Sequence, residues 1–215
     1  MSAPSPIEAL QALIDRALAA QEAAGDDGEA EDRTALDELH ESATEDVFTA
    51  AAALVDAADW PRRQLGLRVL KELGDEHPFA ERTLDLLLPR LSRAVDEERR
   101  QLISAIGWQA HPRSLEALLP LAGDRDVLVR YLVAQHLPAC ARRDDDGADE
   151  RAVAALLRLM KDADADVRWY ATAAFATDYP LLDTSAIRAA LKARLADVDP
   201  GVADCARNAL ETRRV

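Results

Sequence analysis

Catalytic chemistry needs titratable or nucleophilic side chains gathered at fixed spacings, and this sequence of 215 residues keeps them apart. Its four histidines, His40, His77, His111 and His136, are scattered. There is no Cys-x-x-Cys and no His-Glu-x-x-His, and eight glycines in all supply no glycine-rich phosphate loop. The acidic run from Asp144 to Glu150 has the look of a calcium loop but lacks the alternating ligand spacing and the distal glutamate. It reads as a solvated linker. Cys140 and Cys205 read as reduced, small packing residues. His136 falls in an apolar helical stripe and reads as a buried, hydrogen-bonded histidine. No catalytic residue is therefore assigned, no metal or cofactor is expected, and the chain is expected not to be an enzyme.

The residues that do recur at fixed spacing form the phrase Asp-x-Asp-x-x-Val-Arg. It appears as Asp124, Asp126, Val129, Arg130 and again as Asp162, Asp164, Val167, Arg168. A third copy, Asp197, Asp199, Val202, has Ala203 where the arginine belongs. Weaker copies place Asp59 before Arg63 and Asp96 before Arg100, with Ala57 and Ala94 at the first acidic position. Anchors at 63, 100, 130, 168 and 203 imply one helical hairpin per copy. The second aspartate (Asp59, Asp96, Asp126, Asp164, Asp199) stands where a helix must start, able to accept an orphan amide hydrogen and to favour the positive end of the helix dipole. Pro200 after Asp199 suits a first helical position.

The second helices are the elements that position everything else. Counting on from each anchor, offsets +2, +3, +6 and +7 form one apolar stripe, for example Leu102, Ile103, Ile106, Gly107 and Tyr170, Ala171, Ala174, Phe175. Apolar stretches at 47–55, 84–91, 115–121, 152–160 and 186–195 supply the partner helices. The phrase and the hairpin length resemble HEAT-like repeats of the short bacterial type, similar to those of phycobilisome lyases, over roughly residues 44–213. The resemblance implies an all-α, right-handed α-solenoid of about five HEAT-like hairpins at 44–215, with an N-terminal helical extension at 1–43. Arg63, Arg100, Arg130 and Arg168 form a row that reads either as a ligand-binding stripe or, as favoured, as arginines bonded to aspartates of neighbouring repeats, a structural ladder of Asp126, Arg130, Asp164, Arg168 and Asp199. HEAT-like hydroxylases bind iron through several His-Glu pairs; here His40-Glu41 stands alone.

The net charge of −14 belongs mostly to the extension. Residues 25–46 carry ten acidic side chains against Arg33. Residues 6–23 carry the amphipathic stripe Ile7, Leu10, Leu13, Ile14, Ala17, Leu18, with a break at Gly25–Gly28. That helix either caps the first repeat or docks on a partner from an acidic tether. The stretch 29–57 reads as one helix or as two broken near Ser42–Thr44, and the prolines after His77 and His111 mark turns. No basic stripe exists to displace counterions, so nucleic acid is not an expected partner. No run approaches a membrane span and no targeting segment is evident, which with the reduced cysteines leads to the expectation of a cytoplasmic protein, and the excess of arginine over lysine and the abundance of alanine point to a GC-rich bacterial source.

Offsets +1, +5 and +8 lie on the helix face away from the core stripe. On the HEAT-like analogy this face lines the concave side. It carries Arg68, Lys71, Gln101, Trp108, Tyr131, Gln135, Trp169 and Asp204, and also Ala105 and Pro138. Large aromatics on an open face anchor partners; alternatively, the three rings fold over onto the adjacent repeat. The expected function is a non-enzymatic protein-interaction module, a scaffold, adaptor or immunity-type binder that takes a protein or peptide in this groove. The alternative is an enzyme or enzyme subunit of HEAT-like type, chromophore-lyase-like or DNA-glycosylase-like, the latter lacking its basic lining here.

Overall fold

The computed structural model describes residues 5–24, 32–73, 78–143 and 147–213. The Gly25–Gly28 break, His77 and Asp144–Asp146 lie outside them. Among the described residues there are twelve α-helices and no strand longer than one bridge, Arg142 with Ala148. The chain divides into two compact units, 1–108 and 109–215.

In the first unit, α1 (Pro6–Ala24) pairs with α2 (Thr34–Glu41), α3 (Glu45–Val55) with α4 (Trp60–Glu72), and α5 (Ala80–Leu91) with α6 (Asp96–Trp108). The two second helices, α4 and α6, pack on each other, and α1 lies against α4. The stretch after Asp32 is thus two helices, because the Thr44 hydroxyl accepts the Val47 amide and opens α3. Only part of the α1 stripe is used: Ile14 and Ala17 are buried, while Ile7 is exposed. α3 and α4 approach closely. A Cβ at Gly66 would come within 2.8 Å of the Ala51 carbonyl oxygen and the Val55 nitrogen. Only a glycine lets the two backbones meet there.

In the second unit, α7 (Pro112–Leu118) continues into a 3-10 turn (Leu119–Gly123) and packs on α8 (Val127–Cys140). The pairs α9 (Glu150–Leu159) with α10 (Ala165–Thr177) and α11 (Ser185–Arg194) with α12 (Pro200–Thr212) follow. Here α10 packs between α8 and α12. The imidazole of His111 opens α7 by accepting the Arg113 amide at 3.2 Å. At the other end, buried Arg213 donates to the carbonyls of Phe175, Tyr179, Leu182 and Ala209. Burial lowers its affinity for the proton, and the four carbonyls offset part of that cost.

The phrase acts as read, with two changes. Asp59, Asp126, Asp164 and Asp199 each accept an amide of the helix they precede. Asp96 does not follow them: it is the first residue of α6 and has φ of 48°, in the left-handed region. The second change concerns the arginines. Their carboxylate partners are the first aspartates of the next copy. Arg130 grips Asp162 through Nε and Nη2 at 2.7 and 2.9 Å, and Arg168 grips Asp197 at 3.0 and 2.8 Å. Asp164 and Asp199 remain helix caps. Where the next copy has Ala94, Arg63 uses Glu98 at 3.3 Å. Each of these arginines also holds the two carbonyls that precede its own cap, such as those of Asp162 and Ala163 for Arg168.

Candidate functional site

The face expected to be solvated is partly buried. Ala105 and Pro138, placed on it by the helical wheel, are buried, and Tyr170, placed in the core stripe, is half-exposed. The reason is geometric. A second helix in a stack touches its hairpin partner and the second helices on either side, so its buried arc is wider than one stripe.

In the first unit, α1, α2, α4 and α6 enclose an open cleft of about 780 Å³. Gln64, Arg68 and Lys71 of α4 and Gln101 of α6 form one wall. The opposite wall is Gln21 of α1 and Leu36 and His40 of α2. Hydrogen bonds hold the walls together: Gln21 donates to the Pro61 carbonyl at 2.9 Å, and Arg68 donates to the Gln21 side-chain oxygen at 3.1 Å. Glu97 accepts from the Gln101 amide at 2.9 Å. Three of the residues expected to bind a partner, Arg68, Lys71 and Gln101, are thus brought into one cleft. Trp108 stands on the same unit with Lys71 Nζ 4.4 Å from its ring centre. Trp60, the first residue of α4, also lines the cleft. Nothing in the sequence placed Gln21 and His40 at this cleft, because only the docking of α1–α2 on α4 brings them there.

His40 ties α2 to α4. Its Nε2 lies 3.1 Å from the Arg68 carbonyl, so Nε2 carries the hydrogen, and Nδ1 lies 3.7 Å from Glu72. Burial lowers its pKa, outweighing the carbonyl and Glu72, which raise it. A base with a depressed folded pKa contributes fully above its unfolded value, near 6.5, and loses that contribution as pH falls below it. Amide exchange in α2, corrected for intrinsic rates, is therefore expected to accelerate between pH 7 and 5. His40→Gln should flatten that dependence; an unchanged profile would show that His40 does not hold the hairpin.

In the second unit, Tyr131 and Trp169 are joined through Tyr170. Each ring meets Tyr170 edge-on at a centroid distance of 4.9 Å. The Tyr131 hydroxyl donates to that of Tyr170 at 3.3 Å, and this bond with burial pushes the Tyr131 pKa up to about 12. Trp169 leans on the start of α12: its Cδ1 would be 3.5 Å from a Cβ at Gly201. It keeps 39% of its surface exposed, against 38% for Trp108. Trp108 and Trp169 thus pack on a neighbouring repeat and still present surface. Gln135 is half-buried, and Asp204 is exposed and paired with Arg207.

The nucleophiles are placed unfavourably for attack. Burial pushes the Cys140 thiol up to about 12 and raises that of Cys205. His136 is buried in α8. Among the described residues no three His, Cys, Asp or Glu side chains are grouped as a metal site, and no helix is long and apolar enough to cross a membrane.

Within each unit the helical hairpins pack through their second helices, and in the second unit an aspartate–arginine ladder laces them, as in HEAT-like repeats of an all-α solenoid. Residues 84–176 match the family of HEAT repeats. The YibA protein of Escherichia coli is similar over all of this chain and 77% of its own length, with a TM-score of 0.68 at 17% identity. A designed armadillo repeat protein, solved in complex with the peptide (KR)4, is similar over 94% of this chain and 98% of its own, with a TM-score of 0.61 at 17% identity. An engineered protein is similar over 96% of each chain, with a TM-score of 0.59 at 19% identity. No curated protein matches the chain. At these identities the likenesses establish the fold.

Proposed function

We propose that the chain is a non-enzymatic protein-interaction module that holds a protein or peptide segment against the exposed face of its second helices. The observation that carries this reading is the cleft of the first unit. It is large enough for several side chains, and it is lined mainly by amides and by charges of both signs. Glutamine amides donate and accept at once, so Gln64 and Gln101 suit the alternating N–H and C=O groups of an extended backbone. The designed armadillo relative binds a peptide, which supports the same use of this fold. The sequence offers no basic stripe, so the partner is a protein rather than a nucleic acid.

The test is capture of partners from the native host's lysate by the intact protein and by two variants with unchanged circular dichroism. One variant is Gln64→Arg/Gln101→Arg, which fills the cleft; the other is Trp108→Ala/Tyr131→Ala/Trp169→Ala. A specific partner retained by the intact protein is expected to fall at least about fivefold with one or both variants, the loss of about 1 kcal/mol or more that a contact anchor gives. Equal capture by all three would overturn the reading.

A further inference from the structure

We propose that the Tyr131–Tyr170–Trp169 face of residues 109–215 takes the cationic side chains of an extended arginine- or lysine-bearing peptide. This rests on the interaction-module reading and names the chemistry of its partner.

The chain holds nine aromatic residues. The four in the first unit each carry one of the chain's own cations. Lys71 lies over Trp108 at 4.4 Å, Arg63 over Trp60 at 5.7 Å, and Arg82 over Phe48 at 4.0 Å and Phe79 at 5.7 Å. In the second unit Phe175 and Tyr179 are fully buried. The remaining three, Tyr131, Trp169 and Tyr170, form one cluster, and among the described residues no Lys or Arg lies over it. The π-face of a ring attracts a cation electrostatically, Trp most strongly. Among the described residues, that attraction is used at Trp60, Phe79 and Trp108 and not at this cluster.

The surroundings favour the same ligand. Asp166 stands one turn before Tyr170 on α10, exposed, and its charge is felt at the Tyr131 hydroxyl. Beyond Gly201, the face of α12 carries Asp204 and Glu211, both exposed. Arg207 is the basic group among them, and it pairs with Asp204. Between α8 and α12 the matching face of α10 bears Ala173 and Ala176, small enough to leave a shallow floor. The rings themselves are pre-set by their edge-on contacts and by the hydroxyl bond, so little side-chain freedom is lost on binding.

The experiment follows the three Trp indole N–H signals of the full-length ¹⁵N-labelled protein, assigned with Trp60→Phe and Trp108→Phe. The probes are an octapeptide of alternating Lys and Arg, its Asp/Glu counterpart, and a Gln/Ser octapeptide. The cationic peptide is expected to shift the Trp169 signal saturably and the other two to leave it in place. Trp169→Ala should weaken binding about tenfold and Trp169→Phe about threefold. Asp166→Asn/Glu211→Gln, at two exposed sites, should weaken it about threefold and reduce its salt dependence. If Trp169→Ala does not fold, Trp169→Phe and the carboxylate variant decide. A still Trp169 signal, an equal response to the acidic peptide, or binding that Trp169 substitutions do not alter would overturn the proposal. A cationic peptide that moves only Trp60 and Trp108 would also overturn it, while leaving the interaction-module reading in force. Loss of a lysate partner on filling the cleft, with no effect of Trp169→Phe, would separate the two in the same way.

Discussion

Asp197→Ala is expected to lower the unfolding free energy by about 3–5 kcal/mol, the range for stripping one partner from a buried ion pair. The side chain of Asp197 is 3% exposed and that of Arg168 is 9% exposed. Its carboxylate receives Arg168 through two nitrogens, Arg194 at 2.9 Å and the amide of Asp199 at 3.1 Å. Alanine would leave a buried guanidinium and a backbone N–H without their acceptor. Asp197→Asn keeps an oxygen for the amide and should lose about 1–3 kcal/mol, the penalty for a weakened buried bond. Arg63→Ala, whose pair with Glu98 is 24% and 35% exposed, should lose only about 1 kcal/mol or less. The hydrogen bonds from Arg168 and Arg130 hold the Asp197 and Asp162 carboxyls below the ordinary carboxylate range. A depressed folded pKa gives stability that is complete above the unfolded value, near 4, and drains as pH falls past it. The gap between the intact protein and Asp197→Ala in urea denaturation should therefore be constant from pH 7 to 5 and shrink below about 4. A loss under about 1 kcal/mol at neutral pH would mean that the ladder does not hold the repeats.

Gly66→Ala is the second large effect. Placing alanine in a helix ordinarily gains about 1 kcal/mol over glycine. Here the added methyl would sit 2.8 Å from two backbone atoms of α3 and 2.9 Å from the Leu54 Cβ. Backbone cannot rotate away as a side chain can, so α3 and α4 must separate. The overpacking is expected to prevail, with a net loss of about 2 kcal/mol or more. Gly123→Ala is the control, since nothing lies within 4 Å of a Cβ there. It should be neutral or gain up to about 1 kcal/mol through the unfolded chain. Urea midpoints at constant slope measure both, and a neutral Gly66→Ala would show that the helices can part at no cost.

Local signals were legible in the sequence and long-range ones were not. Asp126, Asp164 and Asp199 announce helix starts because a cap bonds within its own first turn. Leu102, Ile103 and Ile106 announce a core because one helix face repeats. The wheel failed at Tyr170, Ala105 and Pro138, where burial depends on which neighbouring helices arrive. The ladder could be seen as a row of arginines, but the choice of Asp162 and Asp197 over Asp164 and Asp199 needed the three-dimensional offset between copies. The cleft was half legible: Arg68, Lys71 and Gln101 followed from spacing, whereas Gln21 and His40 came from a hairpin whose docking no periodicity encodes. Asp96 broke the capping pattern through its backbone angle, which its residue type does not reveal.

The double duty of the first aspartate bears on how such a chain can change its number of copies. Asp162 closes its own turn onto the Asp164 amide and also receives Arg130 from the copy before it. Each hairpin that has both residues is then a connector with a socket (the aspartate) on one side and a plug (the arginine) on the other. The copy with Asp162 and Arg168 accepts Arg130 and supplies Asp197. Duplicated in tandem by unequal recombination, it would find a matching neighbour at each junction with no compensating mutation. The copies at Ala57 and Ala94 lack the socket, and in the second of them Glu98 receives Arg63 as a private adaptor. Gain and loss of repeats is thus cheapest, in numbers of coordinated mutations, within the stretch that keeps both halves of the connector.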